Sequence, residues 1–246
     1  MRTPLCAHLS AGFAISIASI ASAATPGLDL QFSFDGSAWQ NSLVTLPGSS
    51  VLVRVVMTIP TTYYGIGNTR FNIQSSNIPG WDADGDDTID LSVAKGNAND
   101  GRMPGFDFIN MTQQVFESAN SLRIDAKGDT ANNPGVGISC VQNTEANLGT
   151  AFNTAKSAAI FMFKVNLTPA WLSRIELRFF IADGVVENGA ANQINTFRAY
   201  SGPNDPIADD VTGPISGDVG SIYILPAPSA LAAGLLASLI TTRRRR

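Results

Sequence analysis

One short segment is dense in carboxylates, and its spacing suggests a metal-binding loop. It reads DADGDDTID over residues 82–90 and places five carboxylates within nine residues. Carboxylates this close repel one another unless a cation neutralises them, and calcium is held by converging oxygen ligands at about 2.4 Å. The spacing therefore predicts a calcium site formed by Asp82, Asp84, Asp86 and Asp90. A solvated acidic turn between two strands is the alternative.

The same spacing resembles that of EF-hand and dockerin loops, with the first three of these acids at positions one, three and five. Asp87 stands where such loops have a glycine, and Val93 stands where they have the closing bidentate acid. A second loop, holding Asp100 or Asp107, would then supply the remaining ligand. The predicted role of the ion is structural, because it would order a long loop whose ordering otherwise costs entropy.

Four aromatic residues in or near turn-rich segments form a second candidate site. They are Trp39, Tyr63, Tyr64 and Trp81. Aromatic rings presented on rigid loops stack on sugar rings, so these residues are candidate glycan contacts. The alternative is that they close the open ends of a β-sandwich with apolar surface.

The composition excludes most catalytic chemistry. His8 is the only histidine and lies in the N-terminal leader described below, so the body of the chain has none. Ser-His-Asp and Cys-His nucleophile systems and histidine-based zinc sites are therefore excluded there. The protein is predicted not to be an enzyme. The enzymatic alternative is a carboxylate-pair glycoside hydrolase, which needs two acids facing one cleft about 5 or 9 Å apart.

The N-terminus has the features of a secretory signal peptide. Arg2 supplies the positive charge, and the apolar run AGFAISIASIASA follows over residues 11–23. The run ends on Ala-Ser-Ala, a small-x-small cleavage site. Residues 1–23 are therefore predicted to direct export and then to be removed.

The C-terminus is a short apolar segment between prolines and arginines. Residues 229–242 carry no charge, and as a helix they would span about 21 Å. That is shorter than the roughly 30 Å hydrocarbon core of a bilayer. Four arginines follow and favour the cytoplasmic side of the membrane: Arg243, Arg244, Arg245 and Arg246. Such a segment suits a temporary membrane anchor.

This tail, residues 226–246, resembles the tripartite sorting signal of PEP-CTERM proteins, which are bacterial exosortase substrates. Pro226 and Pro228 match the prolines of that signal, and Ala227 replaces its glutamate. The resemblance implies export, transient membrane insertion through the tail, and processing by an exosortase-like transpeptidase or protease. The protein would then lie at the cell surface or outside the cell. A simple membrane anchor is the alternative.

Removing both ends leaves residues 24–225, which are predicted to form a single domain. The body then has eleven basic and twenty acidic residues, a net charge of about −9. An acidic, lysine-poor surface argues against binding nucleic acid.

Alternating apolar and polar residues predict strands throughout the body. The clearest runs cover residues 28–34, 51–59, 159–167 and 175–181, and the short connection between the last two is compatible with neighbouring antiparallel strands. Cys140, in the apolar run VGISCVQ, is predicted to be buried, with pairing between chains as the alternative. Shorter strands are predicted at 70–73, 122–126, 197–200 and 221–225.

Short strands separated by Gly, Pro, Asn and Asp predict an all-β fold, an antiparallel β-sandwich or jelly roll. The segments FSFDGSAW and PGSSVLVRV and the late Phe-rich pair resemble cohesin and carbohydrate-binding modules. Together these features predict an exported, surface-directed structural or adhesive protein of the extracellular matrix or envelope. A carbohydrate-binding module that binds polysaccharide is the first alternative.

Overall fold

A computed structural model of the chain describes ten stretches of residues. They are 26–75, 87–96, 99–109, 112–118, 121–126, 137–144, 154–168, 176–183, 196–211 and 215–225. Both chain ends, including the predicted signal peptide and sorting tail, lie outside them. Within these ranges no helix has the length and apolar character that crossing a bilayer requires.

The described residues form a β-sandwich of two sheets, which confirms the predicted fold class. Sheet A has five strands in the order β13-β1-β3-β9-β5. Its strands are β1 (Gly27–Ser33), β3 (Ser50–Thr58), β5 (Thr88–Asp90), β9 (Ser157–Asn166) and β13 (Ser216–Gly217). Most pairs are antiparallel, but β1 and β13 pair in parallel. A short 3-10 helix, Ser92–Ala94, follows β5.

Sheet B contains the other nine strands and is built around the long strand β4, Gly65–Ser75. Towards one end of the sheet, β10 is followed by β14 and then by β2, which pairs with β14 in parallel. The bounds of the strands are β2 (Ser42–Thr45), β6 (Gln113–Ser118), β7 (Ser121–Ala126), β8 (Ile138–Val141), β10 (Glu176–Asp183), β11 (Thr196–Tyr200), β12 (Asp209–Asp210) and β14 (Val219–Ile224).

Along each of its edges, strand β4 pairs with two successive strands and not with one continuous strand. Phe71 pairs with Ile138 of β8 on one side and with Asp183 of β10 on the other. Strand β7 precedes β8 along the first edge, and β11 follows β10 along the second. Along each edge of β4, the pairing therefore changes from one strand to another at the level of Phe71.

A buried carboxylate links the end of β7 to the residue that precedes β8. Asp125 Oδ1 accepts hydrogen bonds from the backbone N–H of Ala126 at 2.7 Å and of Gly137 at 2.8 Å. Its other oxygen pairs with the Arg123 guanidinium. Burial raises the pKa of the Asp125 carboxyl, and the charge of Arg123 opposes that rise.

The inward faces of both sheets form one hydrophobic core. The alternation predicted for β1 and β3 is observed, since Leu28, Leu30, Val53 and Val55 are all fully buried. Cys140 of β8 is buried as predicted, and burial raises the pKa of its thiol, which suppresses the reactive thiolate.

The structure differs from the sequence pattern at two points. Strands β9 and β10 are not neighbours, because β9 pairs with β3 and β5 in sheet A while β10 lies in sheet B. Their phenylalanines meet across the core instead, with the rings of Phe163 and Phe179 5.9 Å apart. Phe34 does not continue the buried face of β1: the strand ends at Ser33, and Phe34 is 54% exposed in the following turn.

Segment 99–109 connects the two sheets along one side of the sandwich and contains a buried ion pair. Segment 99–109 bonds to β9 of sheet A through Met103 N–H and Ile160 O at 3.0 Å, and to β8 of sheet B through Phe106 and Val141. Within it, the Arg102 guanidinium lies 2.9 Å from the Asp100 carboxylate, and both side chains are almost fully buried. We call this segment the seam.

Candidate functional site

The turn after β1 is organised by its own polar side chains. Asp35 Oδ1 accepts hydrogen bonds from Ser37 N–H at 2.8 Å and from Ser37 Oγ at 2.7 Å. These bonds, the backbone one first, lower the pKa of the Asp35 carboxyl, so it is ionised at neutral pH. Gly36 takes a positive φ of 80°, and its carbonyl accepts the Trp39 indole N–H at 2.9 Å. The turn thereby holds Trp39 in a defined position.

Trp39 contacts a cation on the outer face of sheet A. The guanidinium carbon of Arg54 lies 4.1 Å from the centroid of the Trp39 ring, within the range of a cation–π interaction. Gln31 Oε1 accepts hydrogen bonds from Arg54 Nε at 2.9 Å and Nη2 at 2.7 Å. Partial burial lowers the pKa of Arg54. The group therefore joins an aromatic ring, a fixed guanidinium and an amide on two adjacent strands and one turn.

A cavity of about 220 Å³ adjoins this group. Its walls include Phe34, Asp35, Trp39, Gln40 and Leu43. We call the cavity together with the group formed by residues 31, 39 and 54 the Trp39 cleft. An exposed phenyl ring, an indole and a carboxylate around a space this small suit one sugar-sized group rather than a large cofactor.

Tyr63 and Tyr64 have different neighbours from Trp39. Tyr63 packs against the hydrophobic core, and its hydroxyl reaches the Asp210 carbonyl in sheet B at 3.5 Å. Tyr64 N–H donates to Tyr200 O at 2.6 Å, and Lys156 Nζ donates to the carbonyls of both tyrosines. These contacts close one end of the sandwich. Trp81, the fourth predicted aromatic contact, lies outside the described residues.

The predicted calcium ligands are only partly within the described chain. Asp82, Asp84 and Asp86 lie outside it. Asp90, at the end of β5, accepts hydrogen bonds from Ser92 Oγ at 2.6 Å and Ser92 N–H at 2.9 Å, and lies 3.3 Å from Lys164 Nζ. The Ser92 hydroxyl, followed by its backbone N–H, lowers the pKa of Asp90. Among the residues with described positions, no three His, Cys, Asp or Glu side chains form a metal-binding group.

The two acids proposed to complete that site have other surroundings. Both Asp100 oxygens accept hydrogen bonds from the buried Arg102 side chain. Asp107 forms an isolated bridge with Val141, the last residue of β8. Asp87, which follows the acidic segment, is buried and accepts the Thr168 N–H at 2.7 Å. The carboxylates of Asp87 and Asp100 therefore hold their own segments in place, by a bond to Thr168 and by the pair with Arg102.

A carboxylate-pair mechanism finds no support in the Trp39 cleft. Asp35 is the one carboxylate that the described residues contribute to its wall, and hydrogen bonds lower the pKa of Asp35, whereas a general acid needs a raised pKa. Asp29 does have a raised pKa, caused by burial and then by the charge of Asp218. That pair, however, does not line the cleft.

Sequence reasoning singled out Trp39 and missed its partners. Arg54 is the single charge in the apolar run VLVRVVMTI, and Gln31 sits between two buried positions of β1. The signal that could have found them is their shared position on the polar face of two strands. The strand pattern does not predict which turn packs against Arg54 and Gln31.

No family model matches the chain, and no curated protein sequence matches it. Solved structures that are similar include the sixth cohesin of scaffoldin B from Acetivibrio cellulolyticus, in complex with a dockerin. It is 15% identical, with a TM-score of 0.38, over 81% of this chain and 99% of that one. A type I cohesin–dockerin complex from Clostridium thermocellum is 9% identical, with a TM-score of 0.41, over 81% and 99% of the two chains.

A third similar structure is the cohesin module of a family 33 glycoside hydrolase from Clostridium perfringens. It is 7% identical, with a TM-score of 0.34, over 82% of this chain and all of that one. At these scores the likeness bears on neither partner nor function. The fold assignment rests on the strand pairing described above.

Proposed function

We propose that the protein is an exported, non-catalytic adhesive module of the cell surface or extracellular matrix, which binds glycan through the Trp39 cleft. The observation that supports binding is the cleft itself: Trp39 is held by its turn and by Arg54, beside a cavity open to a sugar-sized group. The strand beneath it is paired on both sides, because Arg54 lies in the middle of β3, which pairs along its length with β1 and β9.

Export is proposed from the two ends of the sequence. Residues 1–23 have the features of a signal peptide, and residues 226–246 resemble a sorting tail that an exosortase-like enzyme would process. The body ends close to where this tail begins: Leu225 N–H donates to Thr45 O at 2.8 Å, one residue before Pro226. Processing at the tail would therefore leave the sandwich strands intact.

The binding proposal is tested by retention on polysaccharides. The full-length protein, kept soluble in a polyoxyethylene detergent that has no sugar headgroup, is incubated with insoluble and matrix polysaccharides, with calcium and again with chelator. We expect retention on at least one polysaccharide, and Trp39→Ala to weaken it about tenfold, because the variant removes the ring that the sugar contacts.

Tyr223→Ala is the matched control for that variant. Tyr223 is an exposed aromatic residue, 41% accessible, on β14 of the other sheet. Its loss should leave retention unchanged. Absence of retention on every polysaccharide, or an equal loss in both variants, would contradict the proposed binding surface.

We also propose that calcium binds the acidic segment and stabilises the module. Asp87 and Asp90 anchor the end of this segment to the sandwich, through Thr168 and through Ser92 and Lys164. Calcium at a hundred times its Kd would add about 2.7 kcal/mol to the free energy of unfolding. We therefore expect a chelator to lower Tm by about 5–10 °C, measured by calorimetry.

The variant Asp84→Asn should abolish the calcium effect, whereas Asp209→Asn should not. Asp209 is an exposed aspartate on β12, remote in sequence from the acidic segment. Magnesium, which demands a smaller octahedral site, should not replace calcium. A Tm that is the same with calcium and with chelator would show that the segment is a solvated turn.

A further inference from the structure

Arg54 is a partly buried cation whose charge is balanced by no carboxylate among the described residues. Five other basic side chains in the described chain have acidic partners, whereas Arg70, Lys95 and Lys156 have none there: the five are Arg102, Arg123, Lys164, Arg178 and Arg198. Arg54 instead contacts a neutral amide and an aromatic face. Removing a cation from water without an opposite charge is unfavourable, so an incoming anion would be bound favourably there.

The guanidinium is already oriented for such an anion. Gln31 Oε1 accepts hydrogen bonds from Nε and Nη2 of Arg54, and the guanidinium carbon lies 4.1 Å from the centroid of the Trp39 ring. Arg54 Nη1 donates to no described residue. A carboxylate accepts two parallel N–H bonds from a guanidinium, and a guanidinium fixed in advance loses little side-chain entropy when it binds.

The neighbouring cavity determines which carboxylate-bearing molecule fits. Asp35 on its wall is ionised and accepts hydrogen bonds, so it suits hydroxyl donors and repels further carboxylates. Phe34 and Trp39 offer apolar ring surface beside it. We infer that the Trp39 cleft binds a saccharide of the uronic-acid class, with its carboxylate on Arg54 and its ring against Trp39 and Phe34.

An acidic peptide fits the cleft less well than such a sugar. A peptide rich in Asp and Glu supplies several carboxylates near Asp35 and few hydroxyl donors. The body also carries a net charge of about −9, which disfavours a dense polyanion. A sugar with one carboxylate and several hydroxyls uses both Arg54 and Asp35. This inference rests on the proposed glycan-binding function and names its ligand class.

The test compares pairs of disaccharides that differ in one group. Each pair, in the gluco, galacto and manno series, consists of a uronic-acid disaccharide and its neutral counterpart with a hydroxymethyl group in place of the carboxylate. Affinities are measured by titration calorimetry on the full-length protein in polyoxyethylene detergent. We expect at least one acid to bind about tenfold or more tightly than its neutral counterpart, with a preference that shrinks as salt is added.

Arg54→Gln should remove this preference, because it lowers affinity for the acid about tenfold more than it lowers affinity for the neutral sugar, which loses only the support that Arg54 gives Trp39. Arg178→Gln is the matched control, because it removes the same charge from a surface ion pair with Glu176 on sheet B. It should change neither affinity. If Arg54→Gln does not fold, the comparison of acid and neutral sugar on the unaltered protein still decides the question.

The outcomes separate this inference from the proposed function. Equal binding of acid and neutral sugars would overturn the uronic-acid assignment and leave glycan binding intact. Failure of every disaccharide, together with failure of every polysaccharide, would overturn both. Tighter binding of oligo-glutamate than of any uronic acid, lost in Arg54→Gln, would assign the site to acidic peptides and overturn the saccharide.

Discussion

Replacing Arg102 with methionine is expected to lower the free energy of unfolding by about 3–5 kcal/mol, because it leaves the Asp100 carboxylate buried without its cation. Arg102 is 1% exposed and Asp100 is 3% exposed. The same guanidinium donates to Ile109 O at 2.7 Å, so the variant also removes a bond that holds the seam. In a chain of this size such a loss corresponds to a decrease in Tm of about 10 °C or more.

The measurement is thermal unfolding followed by circular dichroism, with Arg178→Met as the control. Arg178 pairs with Glu176 at 3.4 Å, but its side chain is half exposed. An exposed pair contributes at most about 1 kcal/mol. A double variant, Asp100→Leu with Arg102→Met, should recover part of the stability, because it leaves no buried charge unpaired. Equal effects of Arg102→Met and Arg178→Met would show that the buried pair does not stabilise the seam.

Replacing Gly101 with alanine should destabilise the seam by about 3 kcal/mol or more, for a steric reason. A Cβ at this position would lie 2.3 Å from the Phe161 ring, well inside contact distance. Phe161 is fully buried and packs edge-on against Phe71, so it has no free space to move into. Gly101 also takes a positive φ of 92°, which costs an L-residue about a further 1 kcal/mol.

Gly105→Ala separates the two contributions. Gly105 has a similar φ of 85°, but nothing lies within 4 Å of its Cβ position. This variant should therefore lose only about 1 kcal/mol, the part due to backbone conformation. Both variants are measured by urea unfolding at equal ionic strength. Stabilities of the two that agree within error would mean that Phe161 moves aside without loss of packing.

The variants Arg102→Met and Gly101→Ala also bear on the candidate site, because the seam and the Trp39 cleft both contact sheet A. Strand β9 pairs with β3, whose Arg54 supports Trp39, and the seam bonds to β9. A variant that loosens the seam but leaves the pairing of β3 with β1 intact should reduce stability more than glycan affinity. Binding and stability measurements on the same variants therefore distinguish a site held by its local turn from one that depends on the whole sandwich.

Much of the fold was predictable because strand alternation is a local property. Each of β1, β3 and β9 places apolar residues at every second position, and only one face of a strand can reach the core. Turn residues between them set where the strands stop. The burial of Cys140 was predictable for the same reason, since it lies in a short apolar run. Local patterns failed at Phe34, where a hydrogen-bonded turn ended the alternation one residue early.

The pairing of strands was not predictable, because many distant segments compete for the same edges. Nine residues separate β9 from β10, and a connection of that length can either form a hairpin or cross the roughly 10 Å between two packed sheets. The structure selects the crossing, and Phe163 and Phe179 then face each other in the core. The change of partner strand on both edges of β4 was not predictable either, because it depends on the register between strands that are far apart in sequence.

The sequence by itself determined the fold class, the candidate export signals and the exclusion of histidine chemistry, because composition and periodicity are properties of the chain. Only the tertiary structure decided that Trp39 meets Arg54, which Gln31 holds, and that Tyr63 packs against the core elsewhere. It also decided that Arg102 is buried with Asp100. Side-chain contacts of this kind depend on how a turn folds over a sheet and on which charges that packing removes from water, and neither is visible in residue order.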